Sequence, residues 1–172
     1  MQKQNEDEVG FRALSLRPAT PEDGPFLLKL YATTRADELA LTNWDETQKQ
    51  AFINMQFKAQ SQQYVMSYRD AEHRIILWND EPVGRLVLDR GERKLTLIDI
   101  ALLPAHRNTG IGTGLIEDIQ KEAVAAAKPI RLHVFSSSAA KRLYERLGFS
   151  LVGDEAEAYL EMIWVPPVSR SC

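Results

Sequence analysis

The sequence predicts a mixed α/β (α+β) domain, with a mostly antiparallel central sheet and helices on both faces. Three observations carry this reading. Short apolar or alternating runs separated by turn residues crowd the stretch from Arg74 to Leu102, as in a meander of strands. Two segments of helical periodicity precede that stretch. A strand–loop–helix–strand succession follows it, and such a crossover implies at least one parallel pair. The chain has 172 residues, enough for one domain with a hydrophobic core and short for two.

Phe11 to Arg17 alternates apolar and polar residues, as a half-buried first strand does. Thr20-Pro21-Glu22-Asp23 then reads as a helix start: a capping threonine, a proline suited to the first position, and acids that complement the dipole. Phe26, Leu27, Leu30 and Tyr31 continue it at helical spacing. A second helix is expected from about Asp45 to Tyr64, with a broad apolar face and no Pro or Gly inside it. Arg74 to Trp78 is the next strand, Asn79-Asp80-Glu81-Pro82 a hairpin turn, and Val83 to Asp89 its partner. Leu95 to Leu102 is almost wholly apolar, as expected of a central strand covered on both sides. Beyond a glycine-bearing loop, Leu115 to Ala127 forms a helix stopped by Lys128-Pro129. A strand over Ile130 to Phe135, a helix over Ser138 to Leu147 and closing strands over Ser150 to Val152 and Tyr159 to Val165 complete the order β-α-α-β-β-β-α-β-α-β-β. Residues 1–9, polar and acidic, read as a disordered lead-in, 10–167 as the domain and 168–172 as a tail.

Composition narrows the function classes. The hydrophobic share of 44% and the net charge of −3 describe an ordinary soluble protein with no basic stripe, which argues against nucleic acid as a partner. No segment approaches the roughly 18 apolar residues of a membrane span. The single cysteine, Cys172, allows neither an internal disulfide nor a cysteine metal cluster and fits a cytoplasmic setting. His73, His106 and His133 show no ligand spacing, so no metal is expected.

The segment richest in chemistry runs from Ala101 to Leu115, where an apolar strand meets a loop with Gly110, Gly112 and Gly114 and then a helix. A helix start leaves N–H groups unpaired and carries partial positive charge, which together make an anion site. Glycine lets phosphate oxygens approach the backbone, and Arg107 can add a charge-assisted bond. For such a loop taken alone, a tight turn with a steric need for glycine is the more ordinary account. A Walker loop is excluded, because Gly112-Thr113-Gly114 stands where Gly-Lys-Ser/Thr is required. A dinucleotide fingerprint belongs in the first βαβ unit, and this loop comes two-thirds of the way along.

The run Arg107-x-x-Gly110-x-Gly112 resembles the coenzyme A signature, Arg/Gln-x-x-Gly-x-Gly/Ala, of the GCN5-related N-acetyltransferase (GNAT) family. A second block, Ala140-Lys141-Arg142-Leu143-Tyr144-Glu145-Arg146-Leu147-Gly148-Phe149, is similar to that family's Ala-x-x-Leu-Tyr-x-x-x-Gly-Phe element. The two stand in the family's order with the expected helix and strand between them, and the element order from Phe11 to Val165 agrees.

The resemblance implies an acetyl-CoA–dependent N-acetyltransferase acting on a primary amine of a small molecule or peptide by direct attack in a ternary complex. It implies that backbone around Arg107, Asn108, Thr109, Gly110, Ile111, Gly112 and Thr113 cradles the pyrophosphate, and that Leu102 and Leu103 pair with the pantetheine arm. Tyr144 would sit near the cofactor sulfur, where a phenol can protonate a leaving thiolate. The family often has Asn where Ser137 stands, so a cofactor contact there depends on the serine. The first two helices would supply the acceptor pocket, with Arg35, Glu38, Trp44 and Gln56 as candidates.

Acyl transfer to an amine also needs a proton acceptor, because an alkylamine is mostly protonated near pH 7. Asp99, a carboxylate within Leu97-Ile98-Asp99-Ile100-Ala101, is the first candidate. An ionised group there either faces the substrate cleft or is held by a salt bridge. Two other function classes compete: a non-catalytic acyl-CoA–binding module, and a nucleotide- or phosphosugar-binding protein that leaves the Leu-Tyr-x-x-x-Gly-Phe block unexplained. Monomer and homodimer are both compatible with the sequence; Tyr159 to Val165 is either core or interface.

Overall fold

Thr20 and Asp23 close the first turn of the chain much as their spacing suggests, and they also anchor the first strand. The computed structural model describes residues 14–168. The expected lead-in, the start of the first strand at Phe11 and most of the tail lie outside the described residues. After β1 (Leu14–Pro18), a short 3-10 helix over Pro21–Asp23 leads into α1 (Gly24–Ala40). The Asp23 carboxylate is buried and accepts from both Arg17 Nη atoms at 2.8 and 2.7 Å and from the Thr20 N–H at 2.8 Å. It therefore ties β1 to the entry of α1.

The remaining elements are α2 (Glu46–Ser67), β2 (Glu72–Trp78), β3 (Glu81–Arg90), β4 (Leu95–Leu102), a 3-10 helix (Pro104–His106), α3 (Ile111–Ala126), β5 (Ile130–Phe135), α4 (Ala139–Arg146), β6 (Ser150–Val152) and β7 (Tyr159–Trp164). This is the mixed architecture that the sequence predicts, with two 3-10 turns added. Asp45 caps α2 through a capping box with Gln48: the Gln48 N–H donates to Asp45 Oδ1 at 2.8 Å, and the Asp45 N–H donates to Gln48 Oε1 at 2.9 Å. The hairpin turn is two residues long. Asn79 and Asp80 both have positive φ (50° and 66°), as a type I′ turn requires, so Glu81 and Pro82 belong to β3. The largest boundary difference is at α3, which begins at Ile111 and takes Gly112 and Gly114 into its first turn.

Among the described residues the strands run in the order β1-β2-β3-β4-β5-β7-β6, and only β4 and β5 are parallel. Leu86, Leu88, Leu95, Leu97, Ile130 and Leu132 turn one sheet face toward Ile111, Ile116 and Ile119 of α3 and Tyr144 of α4. Fully burying each such aliphatic side chain contributes about 1.5–3 kcal/mol. The α1–α2 pair packs on the other face, with its own small core of Tyr31, Leu39 and Ile53. Of the closing segment Tyr159 to Val165, β7 buries Leu160 and Met162 between β5 and β6, while Tyr159 and Val165 are exposed. Among the described residues no helix is long and apolar enough to cross a membrane.

One irregularity governs the middle of the sheet. Val87 opposes Asp99 and Leu88 opposes Leu97, so Ile98 is an extra residue on β4, a bulge. Leu97 is also the last β4 residue paired with β5. From Ile98 onward β4 stays with β3 and leaves β5. At its far end Gly84 opposes Leu102, and a Cβ on Gly84 would lie 2.3 Å from the Ala101 carbonyl oxygen and 2.8 Å from Leu102 Cδ2.

Two outcomes follow from these contacts. The Arg17 guanidinium holds the Asp23 carboxyl well below the usual carboxylate range. Its stabilisation is thus complete above about pH 4 and lost as pH falls through the lowered folded value. Asp23→Asn should lower the melting temperature at pH 7, with the gap to wild type closing in increasingly acid buffer; a gap independent of pH would contradict this. Gly84→Ala should cost about 1–3 kcal/mol in denaturant titration, because backbone rather than a flexible side chain must yield; unchanged stability would show that β3 and β4 are not in such close contact.

Candidate active site

Because β4 and β5 part after Leu97, the sheet carries a cleft on each face along a single strand. On the α3–α4 face, a cleft of about 450 Å³ is lined by Ile100, Ala101 and Leu102, by Arg107 to Thr113 in part, and by Ser138, Leu143 and Tyr144. On the α1–α2 face, a second cleft of about 510 Å³ reaches Thr96, Leu97 and Ile98 of the same strand. Asp99 stands between the two stretches.

The first cleft presents backbone donors. Leu103 is fully engaged: its N–H donates to Val83 O at 2.8 Å and its carbonyl accepts from the His106 N–H at 2.9 Å. By the alternation of a strand, Leu102 then turns its own N–H and C=O to the side that β5 has vacated. The Leu102 carbonyl accepts from Arg107 Nε at 2.9 Å, which leaves its N–H as the donor at the opening. Of the two residues expected to pair with a pantetheine arm, only Leu102 has a free amide.

The loop then delivers a helix start. Gly110 holds φ +87°, the left-handed region that favours glycine, and serves as N-cap of α3 without a side-chain cap. The first helical bond joins the Gly114 N–H to Gly110 O at 3.0 Å, so the amides of Ile111, Gly112 and Thr113 have no partner within the helix. Three adjacent free N–H groups at the positive end of a 16-residue helix fit a pyrophosphate. The Ile111 side chain itself is buried in the core, and the Thr109 hydroxyl donates to His106 O at 2.7 Å, so each can offer the cleft only its backbone. Asn108, at φ 56°, lines the cleft. Arg107 also reaches Thr33 of α1 with Nη2 at 3.1 Å, clamping the end of β4 to the first helix.

Ser138, one residue beyond Ser137, lines the cleft and caps α4 by accepting from the Ala140 N–H at 3.2 Å; Ser137 is exposed on the preceding turn. Tyr144 is 6% exposed and borders the cleft, with its ring 5.6 Å from that of Phe149. Burial first, and the Asp99 charge second, push its phenol up to about 12.

Asp99 resolves in favour of the salt bridge. Arg85 donates to its Oδ2 through both Nε, at 2.8 Å, and Nη2, and Nη2 also reaches Gln60 Oε1 of α2 at 2.9 Å. Arg85 is 6% exposed, and its guanidinium lies 5.6 Å from the Tyr64 ring centroid. No hydrogen bond from the described residues falls on Asp99 Oδ1. The Asp99 charge raises Tyr64 and Tyr159 in the second cleft, after burial in each case, as it raises Tyr144 in the first.

Of the four acceptor candidates, Arg35 and Gln56 line the second cleft. Glu38 is exposed and chelates Arg35 at 2.7 and 3.0 Å, and Trp44 packs on Phe52 at 5.3 Å outside the cleft lining. Arg85 and Gly84 escaped the sequence reading. A glycine within the strand pattern Val83 to Asp89 was the available signal for close backbone approach; Arg85 had none, because charged residues on strands are ordinarily solvated.

A family model described as an acetyltransferase (GNAT) domain matches residues 36–163. The chain is similar in structure to PaiA N-acetyltransferase from Thermoplasma acidophilum in complex with coenzyme A, at 16% identity over 89% of this chain and 99% of that one, with a TM-score of 0.67. An acetyltransferase from Thermus thermophilus aligns at 19% identity over 89% and 97% of the two chains, TM-score 0.65. The histone acetyltransferase HPA2 and related acetyltransferase of Corynebacterium glutamicum aligns at 22% over 92% and 99%, TM-score 0.64. Among curated proteins no sequence matches. With the model covering most of its length and the amide-lined cleft in place, the chain belongs to the GNAT acetyltransferase family and is an acyltransferase that uses acetyl-CoA.

Proposed function

We propose that this acetyltransferase acylates a primary amine of a small molecule or peptide by direct attack in a ternary complex, the donor in the α3–α4 cleft and the acceptor in the α1–α2 cleft. The observation that supports it is that the two clefts share one strand, Ile100–Leu102 lining one and Thr96–Ile98 the other, with Asp99 between those stretches in sequence. A donor and an acceptor on opposite faces of the sheet can touch there without a covalent enzyme intermediate.

The residues divide the work as follows. Amides of Ile111, Gly112 and Thr113 hold the pyrophosphate. The Leu102 N–H, turned to the opening, is placed to polarise the acyl carbonyl. Acetyl-CoA supplies the activated thioester. Tyr144 keeps its proton throughout the neutral range and donates a hydrogen bond to the departing sulfur. The thiolate of a thiol near 8.5 is a weaker base than a phenolate near 12, so the phenol stabilises it by hydrogen bonding and keeps its own proton. Asp99 Oδ1 takes the amine proton directly or through water, while Arg85 fixes the carboxylate from the Oδ2 side. The amine itself must be neutral to attack, so loss of its proton should dominate the pH dependence.

The test is acetyl-CoA–dependent release of thiol over an amine panel. Tyr144→Phe should lower kcat about 10²-fold with the KM for acetyl-CoA little changed. Wild-type kcat/KM should climb as the amine loses its proton, with no falling limb below about pH 10, because the raised phenol is still protonated there. An unchanged kcat in Tyr144→Phe, or a descent near pH 8, would contradict the assignment.

A further inference from the structure

The α1–α2 cleft has a chemistry of its own. Among the described residues that line it, none is Asp or Glu, and the only permanent charge is the Arg35 guanidinium, already chelated by Glu38. Asp99 follows the lining residue Ile98 on β4 and is committed to Arg85 through Oδ2. Aromatic rings supply the walls: Tyr64 of α2 and Tyr68 just beyond its end on one side, and Phe135 and Tyr159 from the sheet on the other. Phe135 is 63% and Tyr159 53% exposed, although their rings meet at 5.0 Å. His133 stacks on Tyr159 at 5.3 Å and 15°, which extends the pair into a continuous ring surface. Gln56, Gln60 and Gln63 add neutral amides.

Resting on the reading of this cleft as the acceptor site, we propose that the acceptor is a monoamine carried on an aromatic ring system, an aryl-alkyl monoamine, and not a polyamine or other polycation. A polycation needs carboxylates for each ammonium beyond the reacting one, and this lining offers none. An aryl body gains from burial against Phe135 and Tyr159 and from offset or edge-to-face ring contacts. The cleft volume of about 510 Å³ accommodates one or two fused rings and a short alkylamine. The amine end lies toward β4 and Asp99, the aryl end toward the exposed rings. Aromatic side chains rather than ion pairs then set specificity, and affinity should be nearly insensitive to salt.

The test measures affinity and turnover separately, on the full chain saturated with CoA or acetyl-CoA. Phenethylamine and tyramine should bind the CoA-loaded protein at least about tenfold more tightly than spermidine or n-hexylamine, read by calorimetry. Phe135→Ala and Tyr159→Ala, both at exposed positions, should each weaken that binding several-fold while leaving acetyl-CoA affinity unchanged. The same order should hold in kcat/KM from thiol release. Equal or tighter binding of spermidine or n-hexylamine, absence of aryl-amine binding, or indifference to both substitutions would overturn the proposal. Tight, substitution-sensitive aryl-amine binding without thiol release would uphold the ligand class and remove the proposed reaction, so the two readings fail separately.

Discussion

The bulge at Ile98 sets the terms for everything built around β4. Leu95 and Leu97 point into the core beneath α3, and strict alternation would send Asp99 after them. The extra residue reverses the phase: Ile100 and Leu102 return to the α3 face, and Asp99 turns to the α1–α2 face, where Arg85 waits two strand positions from its cross-strand partner Val87. The same residue marks where β4 stops pairing with β5. One insertion thus aims the carboxylate away from the apolar core, frees the strand's outer hydrogen-bonding edge and opens a cleft on each face. Gly84 holds the loosened strand end against β3 by allowing the backbones closer than a Cβ would permit.

Electrostatics in the site follow from that geometry. A buried guanidinium needs a counter-charge, and Asp99 supplies it through Oδ2. The surrounding phenols respond in turn: burial and a nearby carboxylate both disfavour phenolate, so Tyr64, Tyr144 and Tyr159 all rise. A site so arranged offers neutral hydroxyl donors and one guarded carboxylate. That suits a reaction in which charge develops on an acyl oxygen and a sulfur, and in which the nucleophile arrives needing to lose a proton.

How much was legible in advance depended on how far each feature reaches along the chain. The Arg107-x-x-Gly110-x-Gly112 loop is local: a helix start, its glycines and its free amides lie within a few residues, so sequence patterns expose them. The sequence puts the start of α3 four residues late because Gly112 and Gly114 are poor helix formers and read as loop; the left-handed Gly110 starts the helix before them. The fate of Asp99 was not legible, since its partner lies 14 residues away and Gln60 a further 25 from that partner, joined only through a bulged register. Arg35 and Gln56 could be placed in the α1–α2 cleft because two adjacent helices carry them. Tyr64, Phe135 and Tyr159 could not, because three separate elements bring those rings together.

The claim on which the account turns is that the amides opening α3 hold the donor's pyrophosphate. Calorimetric titration of the wild-type chain and of Gly110→Glu with acetyl-CoA and with CoA addresses it most directly, because the glutamate places a side chain and a negative charge at the N-cap, on a residue with φ +87°. The account predicts that both ligands bind the wild type and that neither measurably binds the variant, with the variant's fold retained by circular dichroism. Undiminished binding to a folded Gly110→Glu, or no binding to the wild type, would contradict it.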